Sequence, residues 1–567
     1  MIKQDLEHII KDAFKSSFNF APDELDITNP ESQFGDFSIA CHVFAKELKK
    51  SPQDIAQILS DNLKGDLITK SEAVAGYLNI TVDSGSLADE VLSGITKQDK
   101  KYGEFGVSSS EFRDKKILLE YLSPNTNKPL HLGHCRNSFL GMAMAYILET
   151  AGSKVTKVDI VNDRGIHIMK SLVAYQKLGK GKTPKQAKEK GDHFVGKFYV
   201  QFDEESMMDD AKEALRKLEA GDKETTKLWK QMNKWVLDGF KETYKKLGAE
   251  FDKEYFESDT YKLGKKILEV GLKKNVFYKE DDGSIWVDLE DVGLDKKIVQ
   301  RSDGTSVYVT QDFGLAISRD KEFDFDGMVY VVGHEQEYHF KVLFSIMKKL
   351  GYEWSDNLYH LSYGLVFLPE GKMKSREGKV VDADDIIKEV KDLAQDEVKK
   401  RFPDISKKDL EKRAEIIGMG ALKFTLLRVT PSQSIHYNPK EAIKFEGSTG
   451  PYVQYAHARI SSILKKESAT KKVKFELLDK PEEKAVILKL LQYPDVVQVA
   501  ASNYNPSTIC NYLLELSQTF NTFYHEHHVL KSENEDLKNA RLMLIQAVQI
   551  VLRNGLDVLG IKAPEKM

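Results

Sequence analysis

The segment "NKPLHLGH" places two histidines, His131 and His134, around Gly133, with Lys128 just ahead of them. Imidazole N–H groups are donors that suit phosphoryl oxygens, and glycine lets a ligand approach the backbone. If the segment opens a helix, its free N–H groups and the positive end of the helix dipole add to the same preference for an anion. That combination fits a nucleotide whose α-phosphate is under attack, with the imidazoles stabilising charge that develops in the transition state. With 14 histidines and 36 glycines in 567 residues, His-x-Gly-His is expected by chance only about 0.02 times.

A second candidate is "GKMKSREGKVV", a cationic, glycine-bounded stretch directly after the apolar "YGLVFLP". Lysines in such a loop, Lys372 and Lys374, can hold pyrophosphate as it leaves, a positioning and charge role rather than proton transfer. A lysine-rich loop alone is ordinary surface. Following a second strand of the same domain, it gains weight as part of the site.

These residues need a scaffold that aims a helix start at the ligand. The apolar run "KKILLEYL", a proline-containing turn, a helix from about 134 to 150 and then "KVTKVDIV" read as strand, helix, strand, the unit of a parallel sheet. "GMVYVVG" and "LYHLSYGLVFL" supply further buried strands. Residues 185–275 are rich in lysine and glutamate and read as a helical insertion into this domain of residues 111–415. Residues 1–110 carry their own α+β pattern and end in a serine-rich stretch, while 416–567 are amphipathic helices without strand alternation, hence an all-α bundle.

Composition narrows the class. Apolar residues make up 41% and charged residues 30%, as in globular proteins, and the formal net charge of −4 allows a nucleic-acid partner without implying one. No apolar run approaches the ~20 residues a spanning helix needs, and "MIKQDLEHIIKDAFK" lacks a signal-peptide pattern, so a cytoplasmic location and no membrane partner are expected. Cys41, Cys135 and Cys510 form no C-x-x-C pair, which favours neither a disulfide framework nor protein-bound zinc.

With these residues in view, the sequence resembles the class I aminoacyl-tRNA synthetases. "HLGH" is similar to the family's HIGH motif and "KMKSR" to its KMSKS loop. "SPNTNKPLHLGH", "LEAGDKETTKLWKQMNKWVLDGFKETYKKLGAEFD", "RSDGTSVYVTQD", "GPYVQYAHARISSIL" and "LRNGLDVLGIKAPEKM" resemble the arginyl subfamily over nearly the whole chain. "FGDFSIACHVFAKELKKSP" and "GYLNITVD" resemble its appended N-terminal domain. The resemblance implies a Rossmann-type catalytic domain, an N-terminal tRNA-binding domain and a C-terminal anticodon-binding domain. It also implies that ATP, with Mg²⁺, and L-arginine form arginyl-adenylate, whose arginyl group passes to tRNA(Arg), and that the enzyme is a monomer.

Residue by residue, the resemblance assigns Asn125 and His131 to the α-amino and carboxylate end of arginine. Glu120, Tyr308 and Asp312 fall to its guanidinium, and Gln336 to a further substrate contact. A planar cation with five donors does call for carboxylates plus a directional acceptor, and Tyr308 and Asp312, at i, i+4, share a face on a helix or on a strand. Gly133 and His134 are assigned to ATP, and Lys372 and Lys374 to its phosphates. In register with the second lysine of KMSKS stands Ser375, and Lys128 occupies the place from which arginyl enzymes supply that charge. "VNDRGIH" also departs from the family pattern, so Asp163 and Arg164 receive no role. For tRNA, the resemblance assigns Tyr455, Arg459, Tyr524 and Met567 to anticodon bases, and Tyr77 and Asn79 to the elbow.

Two other readings compete. A small-molecule nucleotidylyltransferase also uses an H-x-G-H helix start but needs no long helical C-terminal domain. A catalytically silent tRNA-binding relative would have no reason to keep His131, His134, Lys372, Glu120 and Asp312 together.

Overall fold

The computed structural model describes residues 2–30, 32–104, 111–261, 263–305, 307–369, 381–470, 472–532 and 534–567. Helix α1 (Ile2–Phe18) buries Ile2, Leu6, Ile10, Ala13 and Phe14, a stripe at three- and four-residue spacing. Helix α2 (Pro52–Asn62) starts where Ser51 accepts the Asp54 N–H and Pro52 fits the first turn. Both cover a small antiparallel sheet of β1 (Phe37–Ala40), β2 (Ile68–Val74) and β3 (Tyr77–Val82) in the order β1-β3-β2. The β2–β3 hairpin turns through Ala75 and Gly76 at φ of 50° and 81°, the left-handed pair that a two-residue hairpin favours. Helix α3 (Ser84–Gln98), capped by Asp83, leads away toward the rest of the chain.

The central sheet is parallel throughout. Its strands are β4 (Lys116–Glu120), β5 (Lys154–Val161), β6 (Lys253–Phe256), β10 (Gly327–Gly333) and β11 (Leu358–Tyr363), in the order β11-β10-β4-β5-β6. Strand β4 is central: β5 and β6 follow on one side, β10 and β11 on the other. The direction of winding therefore reverses between β4 and β10, and ligands of open parallel sheets bind at the carboxyl ends on either side of such a reversal. Glu120 ends β4 there, opposite Tyr330 of β10.

Helix α4 (Leu132–Thr150) follows β4 and is buried on nearly every face, with Phe139, Leu140, Ala143, Met144, Ile147 and Leu148 among its interior side chains. It approaches the strand end so closely that a Cβ on Gly141 would meet Tyr121 at 2.3 Å. Between β5 and β6 run helices α5 (Ile166–Leu178), α6 (Gly191–Val200), α7 (Glu204–Glu219) and α8 (Lys223–Leu247). The interval 185–275 is thus helical up to Leu247 and then adds β6 to the sheet edge, a strand of only four residues, "KEYF", too short and charged to stand out by alternation. Helix α9 (Gly264–Lys273) follows. Then come the antiparallel strands β7 (Phe277–Lys279), β8 (Ile285–Val287) and β9 (Lys297–Gln300), and helix α10 (Tyr308–Phe323).

Helix α11 (Glu337–Lys349) joins β10 to β11. Short strands β12 (Val366–Phe367) and β13 (Ile435–His436) pair in parallel. Helices α12 (Ala383–Arg401) and α13 (Lys407–Leu427) link the sheet to a bundle of α14 (Gly450–Leu464), α15 (Pro481–Leu491), α16 (Tyr493–Ser502), α17 (Ser507–Glu526) and α18 (Glu535–Val558). The parallel sheet, the separate N-terminal α+β unit and the helical bundle are the architecture expected from the sequence. Across the junction, Tyr102 donates to Leu490 O at 3.0 Å, and Asn554 donates to Asp99 O and Tyr102 O at 2.8 and 3.0 Å. Among the described residues, no helix is long and apolar enough to cross a membrane.

Candidate active site

Beyond Glu120 the chain makes a tight turn in which two non-glycine residues, Leu122 and Ser123, sit at φ of 80° and 48°. Such conformations cost on the order of 1–3 kcal/mol each unless their surroundings impose them. Here the Leu122 N–H donates to Asn137 Oδ1 at 2.5 Å and the Ser123 N–H to Asp159 Oδ1 at 2.8 Å. Asn137 also donates to Val331 O at 2.7 Å, tying the turn to β10. Asp159 is fully buried, and desolvation pushes its carboxyl well above the ordinary value, opposed by the Ser123 bond. Thr126 N–H donates to Asn162 O at 3.1 Å and Asn162 N–H to Pro124 O at 2.9 Å, so the turn zips onto the end of β5. Asn137 and Asp159 support the turn and were missed by sequence reasoning; their signal was a polar residue in "CRNSFLGMAMA" and between Val158 and Ile160 in "KVDIV", where the adjoining residues are buried or apolar.

The turn delivers "HLGH" to the start of α4. His131 is the N-cap: its Nδ1 accepts the Gly133 N–H at 3.1 Å, while His134 Nδ1 accepts the His131 N–H at 3.1 Å. The two rings lie 3.8 Å apart between centroids. With Nδ1 accepting in both, each neutral ring carries its proton on Nε2. Burial, then Lys128, lowers His131 to about 4 against the opposing pull of Asp382. Burial, then His131 and Lys128, sets His134 well below its ordinary value. Both are therefore neutral donors near pH 7. Lys128 is half-buried, and desolvation lowers its proton affinity too; its charge acts on both imidazoles.

Residues 370–380, with Lys372, Lys374 and Ser375, lie outside the described residues. The backbone that follows them is fixed against the motif: Leu132 N–H donates to Val381 O and Ala383 N–H to Leu130 O, both at 2.9 Å. Arg136, fully buried, donates to Gly364 O at 2.5 Å and Pro431 O at 3.0 Å, which fastens α4 to the segment after β11. Asp382 caps α12 and lies 3.0 Å from His193 Nε2. Near it, Asp192, His193 and Asp384 bring ligand-type atoms within 4.8 Å of one another. Lys190 occupies that cluster, 3.0 Å from Asp192 and 2.7 Å from Asp384, so a lysine holds the place a cation would take.

At the sheet's reversal, Glu120 is buried and its Oε2 accepts from Arg319 Nη1 at 2.5 Å. Tyr308, Asp312 and Arg319 share one face of α10, since offsets of four and eleven residues fall within about 40° at ~100° per residue. Through Arg319 that face reaches the end of β4. Tyr308 opens the helix and is 76% exposed; Asp312 Oδ2 lies 2.6 Å from His339 Nε2. Gln336 is exposed in the turn between β10 and α11, and Asn125 is exposed where the zipped turn meets Asn162.

Comparison with known proteins matches this frame from end to end. Residues 91–432 fit the family model described as tRNA synthetases class I (R), catalytic domain; residues 453–567 fit the DALR anticodon binding domain, and 1–82 the arginyl tRNA synthetase N terminal domain. The arginine–tRNA ligase of Treponema denticola is 47% identical, over 96% of this chain and 95% of that protein. That of Flavobacterium psychrophilum is 42% identical over 100% of both. The solved arginyl-tRNA synthetase of Thermus thermophilus superposes with a TM-score of 0.86 at 29% identity, covering 100% of each chain. The chain belongs to the arginyl-tRNA synthetase family.

Within that family's helical domain, Tyr455 and Arg459 project from one exposed face of α14, and the Arg459 guanidinium lies 4.3 Å over the Tyr524 ring of α17. Met567, by contrast, is 7% exposed: the last turn is docked by His457 Nδ1 against Pro564 O at 2.8 Å and by Gln454 donating to Lys562 O at 2.8 Å. In the N-terminal domain, Tyr77 and Asn79 line one groove with Phe34 and Val74; Tyr77 is exposed and Asn79 buried. Asp163 and Arg164, left without a role, are both engaged within the fold. Asp163 accepts from Ser258 N and Oγ at 2.9 and 2.7 Å, and Arg164 stacks 3.7 Å from the Tyr261 ring centre.

Proposed function

We infer that the chain catalyses arginine–tRNA ligation, with ATP held at the "HLGH" helix start and the arginine side chain at the acidic end of β4 and α10. The observation that carries the division is the capping arrangement of His131 and His134, which leaves both Nε2–H groups as neutral donors at a helix N-terminus. ATP lies with its phosphates at this helix start, near Gly133, His134 and Lys128. Mg²⁺ arrives with ATP as part of the substrate. The carboxylate of arginine attacks the α-phosphorus; the bond to the bridging oxygen breaks and pyrophosphate leaves. His131 and His134 donate to the phosphoryl oxygens as their charge grows, and Lys128, with Lys372, Lys374 and Ser375 of the following loop, attends the departing pyrophosphate. A hydroxyl of the terminal adenosine of tRNA(Arg) then attacks the carbonyl of arginyl-adenylate, releasing AMP.

Arginine is held by Asn125 and His131 at its α-amino and carboxylate end, and by Glu120, Asp312, Tyr308 and Gln336 at its side chain. Two carboxylates and a phenol satisfy a five-donor fork and leave a neutral isostere unmatched. Tyr455, Arg459 and Tyr524 form a stacking platform for anticodon bases, with the buried Met567 as a wall beneath it, and Tyr77 with Asn79 meets the tRNA elbow. Residues 1–110, 111–415 and 416–567 are the corresponding domains, acting in a cytoplasmic monomer. The test is transfer of labelled arginine to tRNA(Arg) with ATP present or omitted. ATP-dependent charging supports the reading, and tRNA binding without charging would refute it.

A further inference from the structure

Arg319 is 1% exposed, yet only Nη1 of its guanidinium has a well-formed hydrogen bond among the described residues, to Glu120 Oε2 at 2.5 Å. The phenols of Tyr255 and Tyr330 stand beside the guanidinium, with Cζ 4.7 Å from the Tyr255 ring centre, and neither Nε nor Nη2 reaches a second carboxylate among the described residues. A fully buried cation with a single carboxylate partner is costly to retain for stability alone. Its placement suggests what it does. It approaches from the same α10 face that carries Asp312 and Tyr308, and takes one oxygen of the carboxylate assigned to the substrate.

We propose that Arg319 is a positioning residue for amino-acid selection, locking Glu120 so that Oε2 is committed to the protein and Oε1 is presented to the substrate guanidinium. This rests on the arginine pocket proposed above. Two consequences follow from charge and geometry. First, Arg319 balances Glu120, so the net attraction for the substrate's positive charge falls to Asp312, whose Oδ2 is itself engaged by His339. Second, Glu120 then selects for shape: a fixed single oxygen at a set distance from Asp312 suits two donors of a rigid fork and is poorly met by the point charge of a lysine ammonium. A carboxylate free to rotate would not make that distinction.

Arg319→Met and Arg319→Lys, together with Glu120→Gln and the double variant Glu120→Gln/Arg319→Met, separate this role from packing. In arginylation assays Arg319→Met is expected to raise the KM for arginine about ten-fold or more while the KM for ATP stays within about three-fold. Because Arg319 acts through Glu120, the double variant should be no worse for arginine than Glu120→Gln alone. Unchanged arginine KM in folded Arg319→Met, or losses that multiply in the double variant, would overturn the proposal. Should Arg319→Met fail to fold, Arg319→Lys decides alone: it keeps the charge and loses the planar fork, so a raised arginine KM supports the role and an unchanged one refutes it. Asp312→Asn is the control for the pocket itself. If it leaves arginine KM untouched, the pocket reading fails, whereas a loss there with none at Arg319 discards only this inference.

Discussion

His134 Nδ1 accepts the backbone N–H of His131 at 3.1 Å, so the second histidine of the motif caps the residue that holds the first. Neither ring can act as a base through Nδ1, and on the proposed reading Nε2–H is the group each offers to ATP. Replacing His134 by Ala removes one transition-state donor and is expected to lower kcat about 10²–10³-fold, with arginine KM within about three-fold. Steady-state arginylation checks this. Equal loss of kcat and of arginine affinity would deny the division of labour.

On the proposed reading Asp312 supplies the net charge that the pocket offers to a cation, since Glu120 is balanced by Arg319. Asp312→Asn should raise the KM for arginine by about 10²-fold and leave the KM for ATP little changed. The comparison with His134→Ala in the same assay is informative in itself, because the two variants should fail in different parameters.

Acid should loosen the motif before it unfolds the rest. His131 is lowered to about 4 and His134 lies well below its ordinary value, while unfolded imidazoles take up protons from about pH 6.5 downward. The stabilisation from keeping them neutral is complete above that pH and is lost as pH falls toward 4. For His131 it amounts to about 3 kcal/mol. Urea unfolding at pH 7 and 5 measures the loss, and His131→Asn, which keeps an N-cap, should flatten it. A variant with the wild-type slope would mean that other groups carry the acid sensitivity.

His193 titrates in the opposite sense. The Asp382 carboxylate raises its proton affinity above the ordinary value, against desolvation, so its contribution is fully present below about pH 6.5 and declines as pH rises through the raised value. His193→Gln should therefore cost more stability at pH 6 than at pH 8.5. Equal cost at both would remove the charge from the account.

Asn137→Ala would strip one of the turn's two supports, leaving the Leu122 N–H and Val331 O without their partner. A loss of about 2–4 kcal/mol is expected, with activity falling further than the folded fraction does. Thermal unfolding measured beside kcat separates the two. Activity that simply tracks the folded fraction would show that the turn conformation does not matter to the chemistry.

Much of this arrangement was legible in the chain. The strands "KKILLE", "KVTKVDIV" and "GMVYVVG" are long and apolar, and the helix after "HLGH" has a clear start, so the phosphate side of the site follows from local pattern. The short strands were not. β6 through β9 have three or four residues each among charged neighbours, and only the sheets they join make them strands. Within the site, the hidden partners are distant ones: Arg319 is 199 residues from Glu120, and Asp159 reaches Ser123 across 36. No periodicity announces such pairs, although a polar residue on a buried face is a reason to seek one. The burial of Met567, which the resemblance assigned to anticodon bases, is likewise announced by no local pattern.

The most direct test of the account is arginine-dependent exchange of pyrophosphate into ATP, run with and without tRNA(Arg). Exchange that requires arginine, in at least one of the two conditions, is the predicted result. No exchange in either, by a protein that still binds tRNA, would contradict it.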